Sequence, residues 1–158
     1  MDVRALEHIY RAWPEKDVLA SEALFAMRQL DADLAWRAVW LLRRLAREGK
    51  LGERQLIQIA AAADEMTHWL SRLNLCQLFS TTNCPGAMRE AAYPFLSECF
   101  SDRRVIVRAW AISALFGFRA DPEYREPVAA MIRAAKKETG KAMQARLRHL
   151  GPAKTKRA

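Results

Sequence analysis

The sequence predicts an all-α protein made of stacked antiparallel helix pairs, and three observations lead there. Ala, Leu, Arg and Glu dominate the composition, all are good helix formers, and strand-like alternation is absent. An arginine recurs one turn into otherwise apolar segments at Arg37, Arg72 and Arg108, with spacings of 35 and 36 residues. A further step of 36 lands on Gln144, and self-similarity at this period marks stacked helical repeats. Helix start and stop signals then divide the chain into about four pairs. They begin near Lys16, Glu53, Pro85 and Pro122, after an N-terminal capping helix.

The chain has 158 residues, enough for one domain with its own core, and its 51% hydrophobic content is too high for a disordered chain. Residues 1–150 read as that single domain, and residues 151–158 as a basic, disordered tail. The N-terminus has no long apolar core and is not expected to be a secretory signal. No apolar run approaches the ~20 residues that span a bilayer. Cys76, Cys84 and Cys99 lack metal-knuckle spacing, so reduced, buried thiols in a cytoplasmic protein are expected. A zinc site joining His68 to these cysteines is the weaker alternative. The net charge of +8 is uneven. It resides in Arg133–Ala158, with Arg133, Lys136, Lys137, Lys141, Arg146, Arg148, Lys154, Lys156 and Arg157 against Glu138, while residues 1–132 balance.

The elements follow in order. Residues 2–13 form an amphipathic helix with Val3, Leu6, Ile9, Tyr10 and Trp13 on one side, stopped by Pro14. A second helix runs from Lys16 to Leu30 on the stripe Val18, Leu19, Ala23, Leu24, Met27 and Leu30. Asp31 or Asp33 caps a third that reaches Arg47 or Glu48, where Gly49 and Gly52 end it. Glu53–Ala63 is the fourth, and Asp64 is expected to cap a fifth that runs to Phe79. Ser80–Gly86 is a loop. Ala87–Phe100 follows, with a kink or late start expected at Pro94. Ser101-Asp102 signals entry to the Arg103–Phe118 helix. Asp121-Pro122 starts a helix to Glu138, Thr139-Gly140 breaks it, and Lys141–Leu150 is last, stopped by Gly151-Pro152.

The pattern of helix-entry Asp, apolar residue, Arg and then small or apolar residues resembles HEAT repeats, the armadillo-type α-solenoid class. Asp102, Val107, Arg108, Ala109 and Leu115 carry it best, and Asp31, Trp36, Arg37, Ala38 and Leu41 carry it well. Asp64, Arg72, Leu73 and Cys76 match less cleanly, and Gln144 stands where arginine belongs. The resemblance covers about Lys16–Leu150 and implies a right-handed α-α superhelix. It also implies that Arg37, Arg72 and Arg108 pair with acids at the inter-helix turns, for which Asp31, Asp33, Asp64 and Asp102 are placed. Fold alone assigns no function, because the class hosts scaffolds, adaptors and nucleic-acid enzymes.

Two sets of residues are candidate contacts. On the third helix, Leu34, Ala38, Leu41, Leu42 and Leu45 form a core stripe, with Trp36, Trp40, Arg43 and Arg47 opposite. Indoles beside guanidiniums can stack on bases or peptide side chains and hold anions. The competing reading is repeat packing, since the matching positions Val107, Ala111, Ala114 and Phe118 are apolar. Arg103 and Arg104 join this face. At the other end, Lys137, Lys141, Arg146 and Arg148 can contact phosphate backbones without reading sequence, or simply favour helix C-termini.

The resulting expectation is a cytoplasmic, non-catalytic scaffold that binds a protein or peptide on its concave face. The alternative is a nucleic-acid-binding protein. HEAT-like glycosylases of alkylated DNA combine tryptophans, an arginine and a catalytic Asp. Trp36, Trp40, Trp69, Trp110 and Asp102 offer those residue types, but no local motif places a catalytic residue. His8, His68 and His149 lack spacing for a metal or a triad, and no Gly-rich phosphate loop occurs, so no cofactor is assigned.

Overall fold

The computed structural model describes residues 2–150, and the basic segment 151–158 lies outside them. Among the described residues the chain is all helical, with no strand. The helices are α1 (Val3–Ala12), α2 (Lys16–Met27), α3 (Ala32–Arg47), α4 (Glu53–Ala62), α5 (Trp69–Thr81), α6 (Gly86–Cys99), α7 (Val105–Phe116), α8 (Pro122–Ala135) and α9 (Lys141–Leu150). Short 3-10 turns follow α4 at Ala63–Glu65 and α7 at Gly117–Ala120. No helix among the described residues is long and apolar enough to cross a membrane.

Local chemistry sets several of the helix ends. Asp2 accepts from the Ala5 N–H at 2.9 Å and opens α1. Asp31 accepts from the Asp33 and Leu34 N–H groups and opens α3. Asp121 accepts from Glu123, and Pro122 occupies the first turn of α8, where no helical donor is needed. α3 stops because Gly49 adopts φ +66°, which turns Lys50 N–H back to the Leu45 carbonyl at 2.9 Å.

Three expectations about helix ends are corrected. Asp64 caps nothing. It is exposed in the 3-10 turn, because Met66 is drawn into the core and the chain stays extended to His68 before α5 begins. Asp102 is not the cap of α7, since the helix begins at Val105 and Asp102 instead accepts from the Arg104 N–H at 2.8 Å. Pro94 neither delays nor ends α6, which runs through it from Gly86. The side chain ahead of the α2–α3 turn also departs from its stripe, as α2 ends at Met27 and leaves Leu30 fully exposed.

α3, α5, α7 and α9 lie side by side, each against the next, and form a continuous row. α2 packs on α3, α6 packs on α4 and α7, and α8 packs on the 3-10 turn after α7. Small residues make the row possible: Ala109, Ala111 and Ala114 are buried on α7, so neighbouring helices approach closely. The main core runs from Met27 and Val39 through Leu75, Phe79 and Phe95 to Leu115 and Phe118. A second cluster, Leu6, Tyr10, Leu19, Ala20, Trp40 and Leu45, seals the α1 end, and Ala109, Ile112, Ala135 and Met143 seal the α9 end.

Candidate functional site

The recurring arginines sit near the starts of α3, α5 and α7. Arg108 Nη2 donates to Glu138 Oε2 at 2.7 Å, and its Nη1 donates to the Asp102 carbonyl at 2.8 Å. Arg72 Nη1 donates to Glu98 Oε1 at 2.8 Å, and its Nε lies 3.3 Å from Asp102 Oδ2. Arg37 pairs with Asp33 one turn back in its own helix, so Asp31 and Asp64 take no part in arginine pairing. Two of the expected acids therefore serve, Asp33 for Arg37 and Asp102 for Arg72, while Glu98 at the end of α6 adds to Arg72 and Glu138 takes the place of an expected acid at Arg108. Asp102, the one acid with a conceivable chemical role, is held by Arg72 and the Arg104 N–H.

On α3 the expected core stripe and contact stripe are partly exchanged. Trp40 is buried, at 6% exposure, against Leu6, Tyr10 and Leu19, whereas Leu34 is 41% exposed. The cause is α1, which covers the Trp40 side of α3. Trp36 is half-buried against the same cluster, and its Nε1–H donates to Asp33 Oδ1 at 3.0 Å. This bond, ahead of Arg37, holds the Asp33 carboxyl below its ordinary range.

Arg43 and Arg47 do reach an open surface. Together with Arg44, Gln77, Thr81 and Trp110 they line a cleft of about 300 Å³ across α3, α5 and α7. Arg44 is neutralised there: its Nη1 lies 2.6 Å from Glu48 Oε1 and its Nε 3.3 Å from Glu7 Oε2. Arg43 and Arg47 form no ion pair among the described residues. Arg43 Nη1 donates to Gln77 Oε1 at 2.7 Å, and its buried Nε has no hydrogen-bond partner. Burial, then Arg47 and Arg44 beside it, pull the Arg43 guanidinium below its ordinary range. It stays charged, since arginine does not lose its proton in proteins. Both arginines lie toward the C-terminal end of α3, where carbonyl dipoles favour cations and help hold them together.

Trp110 links this cleft to α9, because the Arg146 guanidinium lies 4.0 Å from the centre of its ring. The other expected residues stand apart. Arg103 is exposed, and Arg104 packs 4.9 Å over Trp69, away from the cleft. Lys137, Lys141 and Arg148 are exposed on the last pair and do not line it. Gln77, Thr81 and Trp110 escaped the sequence reading as partners of Arg43. Gln77 is 34 residues from Arg43, and only the stacking of helices brings them together.

Cys76, Cys84 and Cys99 are buried free thiols. No group of three or more His, Cys, Asp and Glu side chains among the described residues is placed to hold a metal. Comparison with known protein families, with curated proteins and with solved structures finds no match to this chain.

Proposed function

We propose that this protein is a non-catalytic binding module built as a HEAT-like, right-handed stack of helix pairs. Its α3–α5–α7–α9 row holds an extended, anionic partner. The observation that carries this reading is the pair Arg43 and Arg47, two neighbouring guanidiniums in one cleft with no acid between them. Arg44, Arg72 and Arg108, by contrast, each meet an acid. A partly buried cation left unpaired, as Arg43 is, is costly, so a cleft that keeps it beside the exposed Arg47 is built for an anion that arrives from outside. A protein or peptide partner on this face would therefore present acidic groups.

Retention on an immobilised polyanion such as heparin tests the reading. Arg43→Glu with Arg47→Glu changes the charge by as much as Lys137→Glu with Lys141→Glu. Elution at clearly lower salt for the cleft variant than for the lysine variant is expected. Equal elution would mean that total charge, not the cleft, attracts the anion.

A further inference from the structure

We propose that the cleft between α3, α5 and α7 is a subsite for one nucleotide unit of a single-stranded nucleic acid. This rests on the reading of the helix row as the binding face. The cleft's order of groups supports it. Arg43 and Arg47 stand on one side, the Trp110 indole lines the cleft, and Arg146 covers one face of that indole from behind, so a base would stack on the other face. Cation, aromatic, cation is the pattern that meets phosphate, base, phosphate along an unpaired strand. Base stacking on aromatics and charge contacts to the backbone are the two sources of sequence-tolerant single-strand binding.

The polar groups are ready for a base or sugar edge. An arginine cannot accept a hydrogen bond, so Gln77 must turn Oε1 toward Arg43, which leaves its amide N–H groups as donors. Thr81 Oγ1 shares its one proton between the Gln77 and Leu78 carbonyls, at 3.1 and 3.2 Å, and its oxygen remains free to accept. A volume of about 300 Å³ is at the small end of ligand pockets and suits a single unit. A duplex stacks its base faces internally and cannot offer one to the indole. An acidic peptide would engage the arginines but makes no general use of the indole.

The test compares the full chain's affinity for three labelled probes: a short oligothymidylate, a DNA duplex of equal length and a poly-glutamate peptide. The oligothymidylate should bind tightest. Arg47→Ala, at an exposed position, should weaken it and flatten the slope of log affinity against log salt by about 0.7, one phosphate contact. Trp110→Leu should weaken it by about fivefold to a hundredfold, with the conservative Trp110→Phe retaining most of the binding. Thermal melts of each variant establish that it is folded. If the duplex or the peptide binds as tightly, with the same sensitivity to Arg47→Ala, the nucleotide subsite is wrong while the anionic binding face stands. If no probe binds, or all bind equally well to Arg43→Glu with Arg47→Glu, the binding face itself is wrong.

Discussion

Arg108 and Glu138 join α7 to the turn between α8 and α9 through two parallel hydrogen bonds, Nη2 to Oε2 at 2.7 Å and Nε to Oε1 at 3.2 Å. Arg108 also donates to the carbonyl of Asp102, six residues earlier. Gln144 repeats that local bond with the Glu138 carbonyl, again six residues earlier. An amide thus does the local half of the arginine's work in the last pair, where no described turn follows to supply an acid.

Arg108→Ala removes a forked, partly buried ion pair and should lower stability by about 2 kcal/mol. Urea unfolding of Arg108→Ala, Glu138→Gln and the double variant measures the coupling. Additive effects of the two single changes would show that the pair itself contributes nothing.

Trp40→Ala should destabilise the fold by about 3–5 kcal/mol, since it empties a buried site in the cluster that docks α1. Arg43→Met should behave in the opposite way. It relieves a desolvated cation repelled by Arg47 and Arg44 and should raise stability by about 0.5–1 kcal/mol while weakening anion binding. A loss of stability in Arg43→Met would make this arginine a structural group.

Tyr10 donates its hydroxyl to Glu48, and burial, with help from Glu48, pushes its phenol up to about 12. An unfolded tyrosine titrates near 10. The folded state therefore favours the protonated phenol, a contribution fully present below about pH 10 and lost as pH rises through about 12. Tyr10→Phe should flatten this alkaline loss of stability, measured as melting temperature against pH.

The thiols should be inert in the native state. Cys76 is buried, and desolvation, reinforced by its neighbour Cys99, pushes its pKa upward. Burial pushes Cys84 up to about 11. Reaction with a thiol-specific disulfide reagent should be slow and should accelerate with denaturant in step with unfolding. Fast native reaction at Cys84, the most solvent-accessible of the three, would show that the loop of residues 82–85 between α5 and α6 opens locally.

Helix positions were widely legible because their signals are local. A capping aspartate, a proline at a helix start and a glycine at positive φ act within a few residues. The α3 faces were not, because periodicity separates faces only when one side meets water. α3 is covered by α1 and α2 as well as α5, so apolar residues recur around it and the pattern does not say which side is free. Asp64 misled for a related reason, since a good capping residue is overridden when burial of Met66 pulls the next segment inward.

The helical content and many of the helix boundaries follow from interactions within one or two turns, and the arginine repeat shows as a spacing; these are written directly in the order of residues. The fate of each charge is not. Arg43 and Arg44 are adjacent and chemically identical, yet α1 supplies Glu7 to one while α5 supplies a neutral amide to the other. That difference arises only when the helices stack, because ion pairing depends on which distant side chains share a face. The same stacking sets Trp110 beside the unpaired Arg43, and the candidate site exists for that reason.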